Sequence, residues 1–257
     1  MRIALTGAEG LVGQILRKGF AEQFEVRPLT RGRESFPSTI VDVTDLDALI
    51  AAISGVEAVV HLAAAASLDA AWEDVVDTNI GGTRNVFEAA RIAGVRKVVY
   101  ASSGHVVGGA EDRAGAPLYD LSDKRVFDER TPSEPDSLYA VSKVCGEALG
   151  RYYSDTFGLD VLCIRLGTVL PGNDPKSDGA GRGKSASMTL AQRYPRIRAK
   201  WLSHRDCCQV FAKALLAQDV RFGVFYATSN NPRQIWSLTA ARERLGYEPQ
   251  DAAPVDL

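Results

Sequence analysis

Along the first two thirds of the chain, apolar and polar positions switch between two periods. Short β-branched runs at 3–5, 26–29, 39–43, 58–62 and 97–102 have the length and continuity of strands buried on both faces. Between and after them, 10–23, 46–53, 72–93 and 139–156 repeat apolar residues every three or four positions, the spacing of amphipathic helices. A further strand is expected at 160–166. Strand followed by helix, repeated, predicts an α/β fold: a doubly wound parallel sheet covered by helices on both faces.

Beyond Leu170 the pattern loosens, and 171–183 is a polar, glycine-rich stretch expected to be a mobile loop in the ligand-free protein. A helix after Asp206, a strand near 223–227 and a helix near 238–245 follow. These make too small a core to fold alone, so 171–257 is expected to pack on a 1–170 core as a small C-terminal substrate-side lobe and lid.

The chain of 257 residues is 46% hydrophobic, enough to build one full core. Its 30 basic and 32 acidic residues nearly cancel, which leaves no basic field for nucleic acid. No apolar run reaches the ~18 residues of a membrane span, and the first apolar run is too short for a secretory signal. A cytoplasmic protein with no membrane partner is expected. Four cysteines and three histidines show no metal-binding spacing, so no metal is expected, and the adjacent Cys207 and Cys208 read as small hydrophobes at a helix start.

Candidate chemistry begins directly after the first strand, at Thr6-Gly7-Ala8-Glu9-Gly10-Leu11-Val12-Gly13. Gly7 permits a tight turn, Gly10 a close backbone approach to a pyrophosphate, and Gly13 close packing of helix on strand. Backbone N–H groups and the helix dipole then face the phosphates. Inside a βαβ unit this predicts a Rossmann-type dinucleotide-binding turn, with Glu9 and Leu11 beside it; a plain strand-to-helix turn is the alternative. The end of the second strand, where a carboxylate would accept the ribose hydroxyls of NAD, holds Thr30-Arg31-Gly32-Arg33 instead. Arg31 or Arg33 can pair with a 2′-phosphate, which favours NADP over NAD; two solvated surface arginines are the alternative. Asp42 and Val43 are placed to meet the adenine, unless Asp42 serves to cap the helix beginning near Asp45.

Tyr139 and Lys143 stand four apart and so share one face of a helix. A nearby ammonium and an oxidised nicotinamide would favour the phenolate and make Tyr139 a general base near neutrality. The chain has eight tyrosines, so the pair alone says little. The context is Ser102-Ser103 at the end of a buried strand, where folds of this kind face their ligand. Ser103 can hold a substrate hydroxyl while Tyr139 removes its proton.

Taken together, Gly7/Gly10/Gly13, Asp42-Val43, His61-Leu62-Ala63-Ala64, Asn79, Ser103 and Tyr139/Lys143 resemble the extended short-chain dehydrogenase/reductases, the NAD-dependent epimerase/dehydratase family, over nearly the whole chain. Within it, Ala101-Ser102-Ser103-Gly104-His105, Ile164-Arg165-Leu166-Gly167, Trp201-Leu202-Ser203-His204-Arg205-Asp206 and Leu245-Gly246-Tyr247-Glu248-Pro249 look most like sugar 1-dehydrogenases, the uronate dehydrogenases and archaeal glucose-6-phosphate dehydrogenases. The resemblance implies an NAD(P)-dependent oxidoreductase that oxidises a sugar, sugar phosphate or uronic acid at C1 to the lactone, as a homodimer or higher homo-oligomer. It also implies that Leu62, Ala63, Ala64, Asn79 and Ser102 lie along the cofactor, and that Ser67, Ser103, Gly104, His105 and Arg165 line the sugar pocket. For Arg165 a structural anchor is the alternative, and for His105 a packed loop histidine.

The chain departs from its relatives at Gly104, where uronate dehydrogenases carry asparagine, and in a longer polar loop at 173–184. A sugar epimerase or dehydratase with retained cofactor is the second reading. Against it stand Gly104-His105 in place of an Asp-Glu pair, Thr168 in place of asparagine, and a short C-terminal part. A cofactor-sensing regulator is the third, and an intact Ser103, Tyr139 and Lys143 set argues against it.

Overall fold

The computed structural model of this protein describes residues 1–177 and 189–255. The first crossover unit runs β1 (Arg2–Thr6), α1 (Leu11–Gly19), β2 (Glu25–Thr30). A two-residue β3 (Thr39–Ile40) and α2 (Leu46–Ile53), whose N-terminus is capped by Asp45, lead to β4 (Ala58–His61). A helical stretch follows in three parts: α3 (Trp72–Asp74), a π-helical segment Val75–Gly81 and α4 (Gly82–Ile92). Then come β5 (Lys97–Ser103), a 3₁₀ turn Gly104–Val107, α5 (Gly108–Ala114) and a second turn Ala116–Tyr119. The 20-residue α6 (Leu138–Phe157), capped by the Ser137 hydroxyl and ended by a left-handed Gly158, feeds β6 (Asp160–Leu166). The chain closes with α7 (Leu190–Lys200), α8 (His204–Leu216), β7 (Phe222–Ala227) and α9 (Thr239–Leu245).

Among the described residues, seven strands form one sheet and pair in parallel, in the order β3-β2-β1-β4-β5-β6-β7. The order reverses between β1 and β4, and in open sheets of this class that reversal opens a crevice beyond the strand C-termini. Side chains alternate between two cores as the strand period requires. Ile3, Leu5, Val60, Val99 and Ile164 join one cluster with α8, and Ala4, Val59, Val98, Tyr100 and Cys163 join the other with Phe87 of α4.

The expected doubly wound sheet is present, with informative differences. The third strand stops at Ile40, because Asp42 turns the chain by accepting the Thr44 N–H. The stretch after residue 170 contributes β7 to the same sheet and α8 to the same core, so a boundary at 170 cuts through shared structure. Of the polar loop expected at 171–183, residues 178–183 lie outside the described residues. Among the described residues no helix is long and apolar enough to cross a membrane, and no His/Cys/Asp/Glu group is arranged to hold a metal ion.

Candidate active site

Two adjoining cavities of about 490 Å³ each open at the crevice and share Leu11, Val12, Leu62, Ala64 and Ala66. The first extends over the glycine turn to Arg31, Asp42 and Val43; the second extends over Ser102–His105 to Tyr139, Lys143, Thr168, Lys200 and Trp236.

The glycine turn is forced by contact. Gly7 has φ +67°, and a Cβ there would stand 2.7 Å from the Ala63 nitrogen; one on Gly13 would stand 2.3 Å from the Gly7 carbonyl oxygen. With these positions bare, β1, α1 and the 62–64 segment close together, and the first-turn N–H groups of α1, which no helical carbonyl serves, edge the cavity. At the far end Asp42 has its carboxyl held below the usual range by hydrogen bonds from the Thr44 backbone and hydroxyl. Glu9 carries one carboxylate oxygen 3.4 Å from the Arg31 backbone nitrogen, and its other oxygen is buried without a hydrogen-bond partner among the described residues. A bare cradle edged by helix N–H groups, with an unspent carboxylate oxygen at the far end, fits a dinucleotide.

Beneath the turn, His61 is fully buried between two hydroxyls. Its Nδ1 lies 2.8 Å from Thr6 Oγ1 and its Nε2 3.1 Å from Thr83 Oγ1. Burial, reinforced by the charge of Lys143, holds its pKa down to about 3.

In the second cavity, Ser103 ends β5 and caps the following turn by accepting the His105 N–H, and its hydroxyl is near enough to the Tyr139 phenol to favour the phenolate. Lys143, one turn along α6, donates to the Ala101 carbonyl at 2.9 Å and lies 5.4 Å from the Tyr139 ring centre. Of the two charges expected to favour the phenolate, Lys143 alone does not lower the phenol pKa. Burial pushes Tyr139 up to about 12 against the opposing Ser103 hydrogen bond, and the same desolvation brings Lys143 down to about 8, with Glu147 opposing. His105 lines the cavity with its Nδ1 2.8 Å from the buried Asp136 carboxylate.

Of the residues singled out in the sequence, Gly7, Glu9, Gly10, Leu11, Gly13, Arg31, Asp42, Val43, Leu62, Ala63 and Ala64 border the first cavity. Ser102, Ser103, Gly104, His105, Tyr139 and Lys143 border the second. Four others do not line these walls. Arg165 pairs with Tyr226 on one side and Ser102 on the other in a single row across β5, β6 and β7. Its guanidinium spans both oxygens of Glu147 at 2.8 Å and donates to the Tyr226 hydroxyl at 2.9 Å, while Ser102 donates to Glu147 at 2.6 Å. Arg165 is therefore a buried structural anchor and not a wall of the sugar pocket. Asn79 ties Ala65 to Ser142 of α6, and so holds the 62–66 segment in place without bordering the cavity. Ser67 is exposed and accepts the Asp69 N–H, and Arg33 is an exposed side chain beyond the rim.

Thr168, Lys200, Trp236 and the supporting Glu147 were missed. Only Glu147 had a local signal, as the third member of a ladder four residues apart with Tyr139 and Lys143. The others reach the site from elements far along the chain.

Comparison with known proteins places these features among sugar dehydrogenases. Residues 3–193 match the NAD dependent epimerase/dehydratase family. The chain is 42% identical over 255 residues to an L-arabinose 1-dehydrogenase (NAD(P)(+)) of Haloferax volcanii, a match that covers 97% of this chain and 96% of that protein. It is 35% identical to an NAD-dependent glucose-6-phosphate dehydrogenase of the same organism, covering 97% and 93%. Among solved structures, a uronate dehydrogenase from Agrobacterium tumefaciens, a tyrosine-to-alanine mutant complexed with NAD, superposes with a TM-score of 0.80 at 27% identity, over 98% of this chain and 85% of that one.

Proposed function

This chain belongs to the NAD dependent epimerase/dehydratase family, and from that premise we propose that it oxidises an aldose at C1 to the lactone with a nicotinamide dinucleotide. The observation that carries the reading is the meeting of Ser103, Tyr139 and Lys143 where the dinucleotide cavity runs into the second one. Ser103 holds the C1 hydroxyl, and Tyr139 takes its proton. When bound, the oxidised nicotinamide supplies the hydride acceptor and a positive charge beside the phenol. Lys143, fixed by the Ala101 carbonyl, sets the phenol in place and adds what charge it retains near pH 8.

For the choice of dinucleotide, Glu9 changes the expectation of NADP. Its carboxylate stands at the end of β2, where the strand itself offers none, and its free oxygen suits a ribose hydroxyl. Our reading is NAD as the better cofactor, with NADP accepted through Arg31, which borders the same cavity. We extend the reading to a homodimer through α4 and α6, whose Ile92, Tyr152 and Phe157 are 46–53% exposed; sedimentation as a monomer only would refute it.

The test is absorbance of the reduced nicotinamide when protein, NAD or NADP and a panel of arabinose, glucose, glucose 6-phosphate and glucuronate are mixed. Net reduction with lactone formation is expected, and Tyr139→Phe should lower turnover by roughly 10²–10⁴-fold while cofactor still binds. An isomerised sugar without net reduction would overturn the proposal.

A further inference from the structure

One wall of the second cavity is an indole that no local motif announces. Trp236 is 1% exposed, and the backbone on either side of it is clamped to Phe127 by hydrogen bonds of 2.9 and 2.8 Å. Its ring stacks on Tyr226 with centroids 5.3 Å apart and planes at 19°. Lys200 sets its ammonium 5.1 Å from the same ring, and Lys200 is itself fixed by the buried Glu111 at 3.0 Å. The indole is thus held by three elements, and it has little freedom to retreat.

Gly104 adjoins the substrate-holding Ser103. A Cβ on Gly104 would lie 2.1 Å from Trp236 Cη2, 2.3 Å from Cζ2 and 2.9 Å from Cζ3, distances that no side chain can occupy. A side chain at 104 and this seat for Trp236 therefore exclude one another. The indole fills the volume that a larger residue would take, one position from the catalytic serine. Its Nε1–H is buried and has no hydrogen-bond partner among the described residues, so a donor is left for a ligand oxygen.

We propose that Trp236 seated against bare Gly104 is the specificity wall of the sugar site, setting the depth open to the aldose ring and donating to one of its oxygens. This rests on the reading of the chain as a sugar 1-dehydrogenase. A rigid wall discriminates by size: one carbon more or less in a fitted pocket changes kcat/KM by roughly 10–200-fold.

The experiment measures kcat/KM for five-carbon and six-carbon aldoses, together with NAD affinity, for the wild type, Trp236→Phe, Gly104→Ala and the double variant. Phenylalanine ends short of the three clashing atoms and lacks the N–H. Trp236→Phe should raise KM about tenfold for the preferred sugar and shift the ratio toward the larger one, with NAD affinity unchanged. Gly104→Ala should lose at least about tenfold in kcat/KM, and adding Trp236→Phe should recover part of that loss. An unchanged sugar preference in Trp236→Phe, or losses that simply add in the double variant, overturns the proposal. If Gly104→Ala does not fold, the preference of Trp236→Phe alone decides. A wild type that reduces NAD with no aldose would instead refute the function on which the inference rests.

Discussion

Mild acid should destabilise this protein through His61. The Thr6 hydroxyl accepts the Leu62 N–H at 3.2 Å and the Ala63 N–H at 3.3 Å, which leaves its single hydrogen for His61 Nδ1. Nδ1 is therefore the acceptor nitrogen, and Nε2–H donates to Thr83. Burial first, and the charge of Lys143 second, hold the pKa near 3 against an ordinary 6.5. An unfolded histidine takes up its proton near 6.5 and the folded one does not until near 3. Stability is thus complete above 6.5 and falls with decreasing pH, by about 1.4 kcal/mol per unit once well below 6.5. From pH 7 to pH 5 the loss comes to about 2 kcal/mol. Glu88 and Asp123, whose carboxyls are held near 2, part from their unfolded values only below 4.5 and 3.8, outside this window. The assay is urea unfolding at pH 7, 6 and 5, with His61→Asn as the non-titrating control. That variant should be less stable at pH 7 yet lose under about 0.5 kcal/mol on going to pH 5. An identical pH slope in wild type and variant, or a folded-state His61 that protonates near pH 6 by NMR, would refute the reasoning.

Two further outcomes separate anchors from ligand contacts. Glu147→Gln should cost about 3–5 kcal/mol in denaturant unfolding, because it leaves the buried Arg165 guanidinium uncompensated; Arg165→Lys should likewise destabilise while the sugar KM stays nearly constant, whereas a raised KM at full stability would return Arg165 to the pocket. Glu9→Ala should lower the NAD-to-NADP ratio of kcat/KM by about tenfold or more, the worth of one hydrogen bond to a charged group, and an unchanged ratio would remove Glu9 from cofactor choice.

What was legible in the sequence was what is locally determined. A short run such as 97–102, with Val98, Val99 and Tyr100 ahead of two serines, reads as a buried strand, and glycines at 7, 10 and 13 directly after a strand read as a phosphate-binding turn. Elements that depend on distant partners were not legible. The α5 segment, Gly108-Gly109-Ala110-Glu111-Asp112-Arg113-Ala114, has two glycines and three charges and carries no helical apolar stripe. Its Glu111 accepts at Oε2 from Lys200, 89 residues away, and from Tyr119, while Oε1 is buried without a hydrogen-bond partner among the described residues. The α7 segment is basic and holds Pro195 inside it, so its helix too was invisible from periodicity.

The candidate site divides along the same line, and one face of α6 shows why. Tyr139, Lys143 and Glu147 repeat at intervals of four and look alike in the sequence, yet depth along the helix assigns them different work. Tyr139 reaches the cavity, Lys143 lies at 3% exposure behind it, and Glu147 closes on Arg165 inside the sheet. Spacing alone puts an ammonium beside a phenol, and the expectation of an acidic phenol rests on that ammonium together with an oxidised nicotinamide. Burial acts on both groups at once: it raises the phenol to about 12 and strips the lysine of part of its charge near pH 8, so the pair by itself is a poor base at neutrality. The missing positive charge has to arrive with the oxidised cofactor. If Tyr139 is the base we propose, proton removal is coupled to the presence of the hydride acceptor, and rate measurements should show the dinucleotide binding before the sugar.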